Sequence, residues 1–259
     1  AQVALALVML AGAGLLVRSL QRMFAVDPGF RAENLLIVPL DLPRAAYAGA
    51  KDEAGKRAVD ESNNQYFARV AEQVKALPGV EAATTAAITP FCNVIGKNGV
   101  VIEGWQPKPG ENVAIDSNRV GPGYHELMGI PLVQGRGFIE RDNASAPLVV
   151  IINEAMARAY FPNQNPLGKR FSLGSGQPWL EIIGVTRDHR LHSLTETSFP
   201  HFDLPALQHP YGSFARLVVR TNIDPLAVLP PARKEALALN AQVDIERPTT
   251  LYDEVKNSI

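Results

Sequence analysis

The chain has 259 residues, of which 46% are hydrophobic and 20% are charged, and this excludes a disordered tail, a collagen-like repeat and a coiled coil. Its 25 Lys and Arg residues balance 26 Asp and Glu residues without forming a basic cluster, which excludes a surface that follows a nucleic-acid backbone. The single cysteine, Cys92, excludes an intrachain disulfide and a cysteine-rich metal site.

The first segment, Ala1–Val17, contains no ionisable side chain. A helix of that length spans about 26 Å, slightly less than the ~30 Å hydrocarbon core of a bilayer. Because the chain also lacks an initial Met, we expect it to begin partway through a membrane helix of a longer protein. A secretory signal cleaved near Ala11-Gly12-Ala13 and a buried globular helix are the alternatives, although no basic segment precedes the run as a signal requires.

A helical apolar stripe continues past this segment and predicts a stalk that extends through residue 26. The residues predicted to pack the stalk are Leu16, Leu20, Met23 and Phe24. The turn sequence Asp27-Pro28-Gly29 should end it.

A β-α-β unit is predicted next. Its elements are a strand at Asn34–Leu42, a loop at Pro43–Asp60, a helix at Glu61–Leu77 and a strand at Val80–Thr89. Pro39 suits an edge position or a bulge in the first strand. Ser62 and Gln65 have the spacing of a capping box, which places the start of the helix there.

The same order recurs near the end of the chain. Its elements are a strand at Ala215–Thr221, a helix capped by Asp224 that reaches about Asn240, a strand at Val243–Arg247 and a helix from Thr249. Pro230-Pro231 should kink or split the first of these helices. Two such units at the two ends of a chain indicate an α+β fold with a split β-α-β, ferredoxin-like, porter-type subdomain.

The middle of the chain is predicted to form a smaller inserted α/β subdomain. Its elements are strands at Val100–Trp105, Val113–Val120, Pro147–Ile152 and Trp179–Val185, a short helix at Pro122–Met128 and a helix capped by Asn153. The predicted organisation is therefore a membrane-helix end and stalk at 1–26, the porter-like subdomain at 27–92 and 212–259, and the insert at 93–211.

One group of residues is the best candidate for a metal site, because imidazole and carboxylate groups are the usual zinc and iron ligands. It comprises Asp188, His189, His192, His201, Asp203 and His209. The spacing matches no helix-borne pair of ligands, so the favoured interpretation is a set of loop histidines that face water.

Other patterns predict loops rather than chemistry. Gly168-Lys169 lacks the residues that complete a phosphate loop, and Gly174-Ser175-Gly176 suits a tight hairpin turn. Glu140 and Asp142 are interpreted as solvated loop carboxylates, and Asn143-Ala144-Ser145 fits a glycosylation sequon that is too short to be specific. The sequence therefore predicts no catalytic, cofactor-binding or metal-binding residue.

Several long segments resemble the MacB-like periplasmic core domain of FtsX-like ABC-transporter permeases. They are Ala11–Phe30, Ala76–Ala83, Pro122–Phe138, Val150–Phe171 and Trp179–Arg190. The Asp-Pro turn and the segments GIPLVQGR and NPLGKR are the most specific parts of the resemblance.

The resemblance implies a non-catalytic domain that is held in the periplasm between the first two helices of an inner-membrane protein. It also implies that the domain transmits ATPase-driven motion for export or efflux. The implied partners are membrane lipid, a cytoplasmic ABC ATPase that is fused or separate, a second permease in a homodimer or pair, and a periplasmic adaptor. Two alternatives remain: a membrane-anchored sensor or scaffold, and an anchored hydrolase that uses the His/Asp group.

Overall fold

The computed structural model describes residues 27–92, 94, 96–107 and 113–258. The predicted membrane segment and stalk, with Leu16, Leu20, Met23 and Phe24, lie outside these residues. Within the described ranges, no helix has both the length and the apolar character needed to cross a bilayer.

Twelve strands form one sheet, and the helices cover it, so the predicted mixed α+β fold is confirmed. The strands are β1 (Leu35–Asp41), β2 (Val80–Ala86), β3 (Lys97–Gly99), β4 (Val101–Ile102), β5 (Ala114–Val120), β6 (Leu132–Gly135), β7 (Val149–Asn153), β8 (Arg170–Ser172), β9 (Trp179–Thr186), β10 (His201–Pro205), β11 (Phe214–Thr221) and β12 (Thr249–Thr250). The helices are α1 (Ala45–Gly49), α2 (Glu53–Lys75), α3 (Tyr124–Met128), α4 (Glu154–Tyr160), α5 (Pro225–Leu239) and α6 (Leu251–Asn257).

Four strands at one end of the sheet, in the order β12-β1-β11-β2, are called the four-stranded part below. All neighbours in it are antiparallel, so β1 and β2 are parallel to each other with β11 between them. The same holds for β11 and β12, which are separated by β1. Helix α2 connects the first parallel pair and α5 the second, which is the connectivity of a split β-α-β unit.

Strand β1 is the centre of this part because both of its faces are buried. Leu36, Val38 and Leu40 face the core beneath α2 and α5, whereas Leu35 and Ile37 face a second core that includes residues of α3 and α6. Pro39 lies in an inner strand rather than at the predicted edge, but it faces a gap in the pairing between β12 and the Asp41–Asp244 bridge. A backbone N–H at position 39 would point away from β11, to the same side as the N–H of Asp41, which donates to Asp244. On that side β12 pairs only with Leu36 and Ile37, so proline removes no ladder hydrogen bond.

Helix α2 begins earlier than predicted. It starts at Glu53 rather than Glu61, because the side chain of Asp52 caps it by accepting from the N–H of Gly55 at 2.8 Å. Ser62 is therefore an interior residue of the helix and not its cap. The first two turns are exposed, so no apolar stripe marks them in the sequence.

Of the two predicted effects of Pro230-Pro231, a kink or a split, the split is wrong, since α5 is one helix that contains both prolines. The prolines remove the donors for the carbonyls of Leu226 and Ala227. Those two residues are exposed, so water can bind their carbonyls. The predicted cap is confirmed: Asp224 accepts from the N–H of Leu226 at 3.0 Å.

The predicted strand at Val243–Arg247 is also wrong. Only Asp244 forms a bridge, with Asp41, and pairing resumes at β12. Val243 and Ile245 are buried in the core, so apolar and polar residues alternate here as they would in a strand. Arg247 has a φ of 42°, a turn conformation that ends the extended run before Pro248.

The rest of the sheet closes on itself and is called the barrel below. Its strands pair in the order β5-β10-β7-β9-β8-β4, and β3, one residue before β4, pairs back to β5. Val100 joins β3 to β4, and its N–H donates to the carbonyl of Val113 at 2.9 Å. The interior holds a single apolar cluster that includes Ile152, Phe171, Leu180 and Phe202.

Most predicted elements of the middle region are confirmed with shifted ends. The helix at Pro122–Met128 is α3, and the strands at Pro147–Ile152 and Trp179–Val185 are β7 and β9. Every residue of β7 is buried, and Asn153 caps α4 by accepting from the N–H of Met156 at 2.9 Å. The predicted strand at Val100–Trp105 is reduced to β4, because the chain turns after Ile102.

The barrel and the four-stranded part meet at a narrow seam between β2 and β5. One residue pair, Ala86 with Val120, is in register there. The N–H groups of Ala87 and Gly121 add two hydrogen bonds of 2.8 Å across the seam. The backbone approaches closely at Gly121, where an added Cβ would lie 2.6 Å from the hydroxyl of Thr84.

Candidate functional site: the junction that receives the N-terminal segment

Residues 27–34, called the leading segment below, connect the predicted stalk to β1. They begin with the predicted turn, in which the N–H of Gly29 donates to the carboxylate of Asp27 at 2.8 Å. The next contact is with the segment after β9, since the N–H of Arg190 donates to the carbonyl of Pro28 at 2.8 Å. The leading segment is thus tied to the barrel region at its first described residues.

Gly29 lies directly against the segment that follows β9. Its φ of +82° favours glycine, and an added Cβ would lie 2.7 Å from the carbonyl oxygen of Asp188 and 2.8 Å from the Cα of His189. Asp188 is itself fixed to α4, because its carboxylate accepts from the N–H of Ala155 at 2.8 Å and pairs with Arg158. The contact therefore permits no side chain at position 29.

Arg220, on β11, holds the leading segment to the four-stranded part. Its guanidinium donates to the carbonyls of Leu127 at 2.6 Å, Glu33 at 3.1 Å and Arg31 at 3.0 Å. The residue is 8% exposed, and its bond to Leu127 is buried, whereas its bonds to Glu33 and Arg31 are partly buried. Burial, followed by the nearby charge of Arg31, lowers the pKa of Arg220, yet the guanidinium keeps its charge at physiological pH.

Helix α3 is the third anchor of the leading segment. The N–H of Arg31 donates to the carbonyl of Met128 at 2.8 Å, and the Arg31 side chain covers Gly129. Phe30 is buried, with its ring 6.0 Å from that of Phe91. The leading segment therefore contacts β11, α3 and the segment after β9 within a few residues.

A buried polar cluster lies beneath these contacts. The carboxylate of Asp203 accepts from Nε2 of His125 at 2.9 Å through one oxygen, and from Nε2 of His201 at 3.1 Å through the other. His201 and Asp203 lie two residues apart on β10, so they share one face of the sheet while Phe202 and Leu204 face the barrel core. His125 reaches them from α3.

The spacing of the His/Asp group predicts loop residues that face water. This prediction is wrong for His189, His201 and Asp203, which are 9%, 3% and 2% exposed. The ring of His189 lies edge-on to that of His201, with centroids 5.7 Å apart. Burial first, and the neighbouring His201 second, lower the pKa of His189 to about 4. The two histidine partners lower the pKa of Asp203 far below its ordinary value, even though burial alone would raise it.

The other members of the predicted group lie elsewhere. His192 is part-exposed on the outside of the barrel and contacts the carboxylate of Asp116 at 3.0 Å. His209 is half-buried, and burial lowers its pKa to about 4. Among the described residues, no group of three or more His, Cys, Asp or Glu side chains has the arrangement of a metal site.

Of the remaining loop predictions, one is wrong and two are confirmed. Asp142 is buried rather than solvated, because Arg136 donates to both of its oxygens at 2.7 and 2.8 Å, which lowers the pKa of the carboxyl. Glu140 is exposed, as expected for a solvated carboxylate. The Gly174-Ser175-Gly176 turn joins β8 and β9 as predicted.

Sequence reasoning alone does not single out two residues of this junction, His125 and Arg220. A signal for Arg220 exists: alternation along β11 places it on the same face as Val218, which is buried, so a charge there requires buried partners. His125 sits between Tyr124 and Glu126 in a short helix, and no spacing relates it to a residue 78 positions away.

Comparison with known proteins identifies the chain. The profile of a family described as the MacB-like periplasmic core domain matches residues 3–244. The chain belongs to this family. It is a periplasmic core domain of the type found in MacB-like and FtsX-like ABC-transporter permeases.

Individual relatives agree with the family. The macrolide export ATP-binding/permease protein MacB of Aggregatibacter actinomycetemcomitans is 36% identical over 72 residues, which make up 28% of this chain and 11% of the relative. This MacB-like chain therefore matches only a small part of that protein's length.

Two solved structures share its fold. The periplasmic region of MacB from Actinobacillus actinomycetemcomitans has a TM-score of 0.58 at 16% identity, covering 91% of this chain and 96% of that one. A permease-protein domain from Porphyromonas gingivalis has a TM-score of 0.51 at 16% identity, covering 85% of this chain and 92% of that one.

Replacing Arg220 by Met should lower the free energy of unfolding by about 3 kcal/mol, because one buried carbonyl and two partly buried carbonyls lose their donor. Arg216→Met is the matched control on the same strand. Its guanidinium donates to one carbonyl, that of Ala87, and its loss should cost about 1 kcal/mol. Urea denaturation of both variants measures the difference, and equal costs would contradict the anchoring role of Arg220.

Gly29→Ala should cost about 3 kcal/mol, since it combines left-handed strain with a clash against the backbone of Asp188. Gly168→Ala is the control: its φ of +78° is similar, and nothing lies within 4 Å of the added Cβ. Strain alone should then cost about 1 kcal/mol. Thermal and urea unfolding compare the two variants, and a Gly29 variant no less stable than the Gly168 variant would refute the close contact.

The low pKa of His189 makes stability depend on pH. Its folded-state pKa of about 4 lies below the ordinary 6.5, so the unfolded chain binds a proton between these values that the folded chain does not. The stabilising contribution is complete above about pH 6.5 and is lost as the pH falls toward 4, by about 3 kcal/mol in total. His189→Gln should flatten the pH profile of the unfolding free energy, and adding His209→Gln should flatten it further. A His189→Gln profile as steep as that of the wild type would contradict this assignment.

Proposed function

We propose that the chain is the extracytoplasmic head of an inner-membrane ABC-transporter permease and that it transmits ATPase-driven motion for export or efflux without catalysing a reaction itself. The observation that carries the proposal is the threefold anchoring of the leading segment to β11, α3 and the segment after β9. Membership of the MacB-like family supports the transporter context.

The anchoring suits mechanical transmission for a physical reason. Displacement of a stalk moves a head as one body only if the connecting segment cannot slide or unfold first. Here the connection is made by backbone hydrogen bonds and by partly buried guanidinium hydrogen bonds, which fix position and orientation together. Transmission in addition requires the predicted stalk, packed by Leu16, Leu20, Met23 and Phe24, to be a continuous rigid helix.

The proposed head has two subdomains: a porter-like one at 27–92 and 212–259, and an inserted one at 93–211. The split β-α-β connectivity supports the first, and the closed ring of strands supports the second. The narrow seam at Ala86 and Val120 supports a boundary between them. The boundary is confined to the sheet, because one apolar cluster beside it contains residues of β1 and β11 together with residues of β5 and β7.

The proposed partners follow from the family. A cytoplasmic ABC ATPase, fused or separate, supplies the motion. In support, the MacB relative is named an ATP-binding/permease protein. A second permease subunit, membrane lipid around the N-terminal segment and a periplasmic adaptor complete the assembly that we propose. The alternative of a sensor or scaffold head has no specific contact in its favour.

Inserting Gly-Gly after Ser19 tests transmission. The flexible insertion should break helical continuity, so that the transporter still hydrolyses ATP while cargo transport falls at least about tenfold. The measurements are ATPase activity and transport by the intact membrane-embedded transporter. Wild-type transport in this variant would contradict the proposal.

Gly-Gly inserted after Ser175 is the matched control. That residue lies in the turn between β8 and β9, away from the leading segment, so the insertion should leave both ATP hydrolysis and transport unchanged. Circular dichroism of both variants verifies that the head remains folded.

A further inference from the structure

A small cavity lies on the outside of the barrel, over strands β3 and β5. Its volume is about 360 Å³, which is within the range of sites that bind small molecules. The two strands, the end of α4 and the segment between β9 and β10 all contribute to its wall, through residues that include Lys97, Asp116, Tyr160, His192, Phe199 and Pro200. None of these residues belongs to the junction that receives the leading segment.

The cavity contains a buried carboxylate, that of Asp116. Ile115 packs in the barrel core, so the next residue of β5, Asp116, faces outward. Lys97 of β3 lies directly opposite Asp116 in the register, and the two side chains therefore share the outer face of the sheet. Asp116 is nevertheless only 8% exposed, and His192 of the segment between β9 and β10 contacts it.

The two oxygens of the Asp116 carboxylate have different surroundings. Oδ2 accepts from Nε2 of His192 at 3.0 Å. The His192 ring is held in place by Phe199, on which it stacks with the ring centroids 5.3 Å apart and the planes 5° from parallel. Oδ1 is also buried, yet it has no hydrogen-bond partner among the described residues. A buried carboxylate oxygen without a donor raises the free energy of the site, so this oxygen should attract one.

Lys97 meets this need only in part. Its ammonium nitrogen lies 3.7 Å from Oδ1 of Asp116, which is close enough for attraction between opposite charges but too long for a hydrogen bond. The Lys97 side chain is 60% exposed, so it can move into the solvent at little cost. An ammonium group that donates directly to Oδ1 would therefore form a stronger contact than Lys97 does.

The walls of the cavity suit an amine with an apolar body. Phe199 and Tyr160 contribute aromatic rings, whose faces attract cations and whose surfaces pack against alkyl chains. Tyr160 itself is positioned by Trp105, since the two rings meet edge-on with centroids 5.3 Å apart. A primary ammonium group has donors and no acceptor, which matches an unpaired carboxylate oxygen.

We propose that this cavity binds a small aliphatic amine. The ammonium group of the ligand donates to Oδ1 of Asp116 in place of Lys97, and its alkyl chain lies against Phe199 and Tyr160. The site goes beyond the proposed function, because binding of an amine here neither requires nor follows from transmission of motion.

Titration of the full chain in detergent micelles with butylamine tests the site by amide NMR. At about pH 7.5 the amine is protonated, as a lysine side chain is. The amide signals of Lys97, Asp116 and His192 should shift and saturate, while that of Ile182 in the barrel interior should stay in place. 1-Butanol has a similar length and no charge, and it should bind at least about tenfold more weakly because it lacks the charge-assisted hydrogen bond. Equal affinities, or no saturable shift with butylamine, overturn the proposal.

Asp116→Asn removes the charge of the carboxylate but keeps its shape and an oxygen for His192. Its affinity for butylamine should fall at least about tenfold. Glu103→Gln is the matched control: it removes an exposed carboxylate elsewhere on the barrel, where Glu103 pairs with Arg170, and should leave the affinity unchanged. Wild-type affinity in Asp116→Asn overturns the proposal.

Lys97→Met keeps the test decisive if Asp116→Asn does not fold, because Lys97 is exposed and its replacement retains an unbranched apolar side chain. Without the competing ammonium group, the affinity for butylamine should rise about threefold, the equivalent of one exposed ion pair. Lys169→Met removes the same charge from another exposed position of the barrel and should not change the affinity. Unchanged or weaker binding in Lys97→Met overturns the proposed displacement.

Discussion

The geometry of this domain depends on one guanidinium. Arg220 bonds three carbonyls that belong to the leading segment and to α3, and it projects from β11, the strand paired with β1 along its whole length. A guanidinium suits this position because its donors form a rigid planar fork and its charge persists at every physiological pH. The orientation of the chain as it enters β1 is therefore set in part by two hydrogen bonds from one planar side chain.

The second polar element, the Asp203 cluster, joins α3 to the barrel. Its carboxylate accepts from His125 of α3 and from His201 of β10, and all three side chains are buried. The apolar cluster around α3 reaches both parts of the fold, since it includes residues of β7 as well as of β1 and β11. Helix α3 is therefore held to the barrel and to the four-stranded part at once, by apolar packing and by hydrogen bonds.

The sequence predicts those elements whose burial is periodic. The alternation at Leu36, Val38 and Leu40 identified β1, and the continuous apolar run identified the fully buried β7. Strand β10 was not predicted, because His201, Asp203 and Pro205 are residues that strands usually exclude. Two of them, His201 and Asp203, belong to the polar cluster, so the strand that local propensity disfavours is the one that carries buried polar side chains.

The long-range contacts of the junction were beyond sequence reasoning for a related reason. His125 and Asp203 are brought together only when α3 crosses β10, and Arg220 meets residue 31 only after β11 pairs with β1. Neither contact corresponds to a recognisable residue spacing in the sequence. Resemblance of whole segments identified the family without showing which residues meet at the junction.

Closure of the barrel has a consequence for how the domain behaves among its neighbours. A free strand edge is a template on which another chain can add its own strand and begin to aggregate. The ring from β5 round to β3 pairs most of the edges of that sheet region within the molecule. In the described part of the chain, the strands with a partner on one side only are β3, β4, β6 and β12, and they are two to four residues long. A domain built in this way presents few unpaired backbone groups to a strand of another chain, which disfavours aggregation at high local protein concentration.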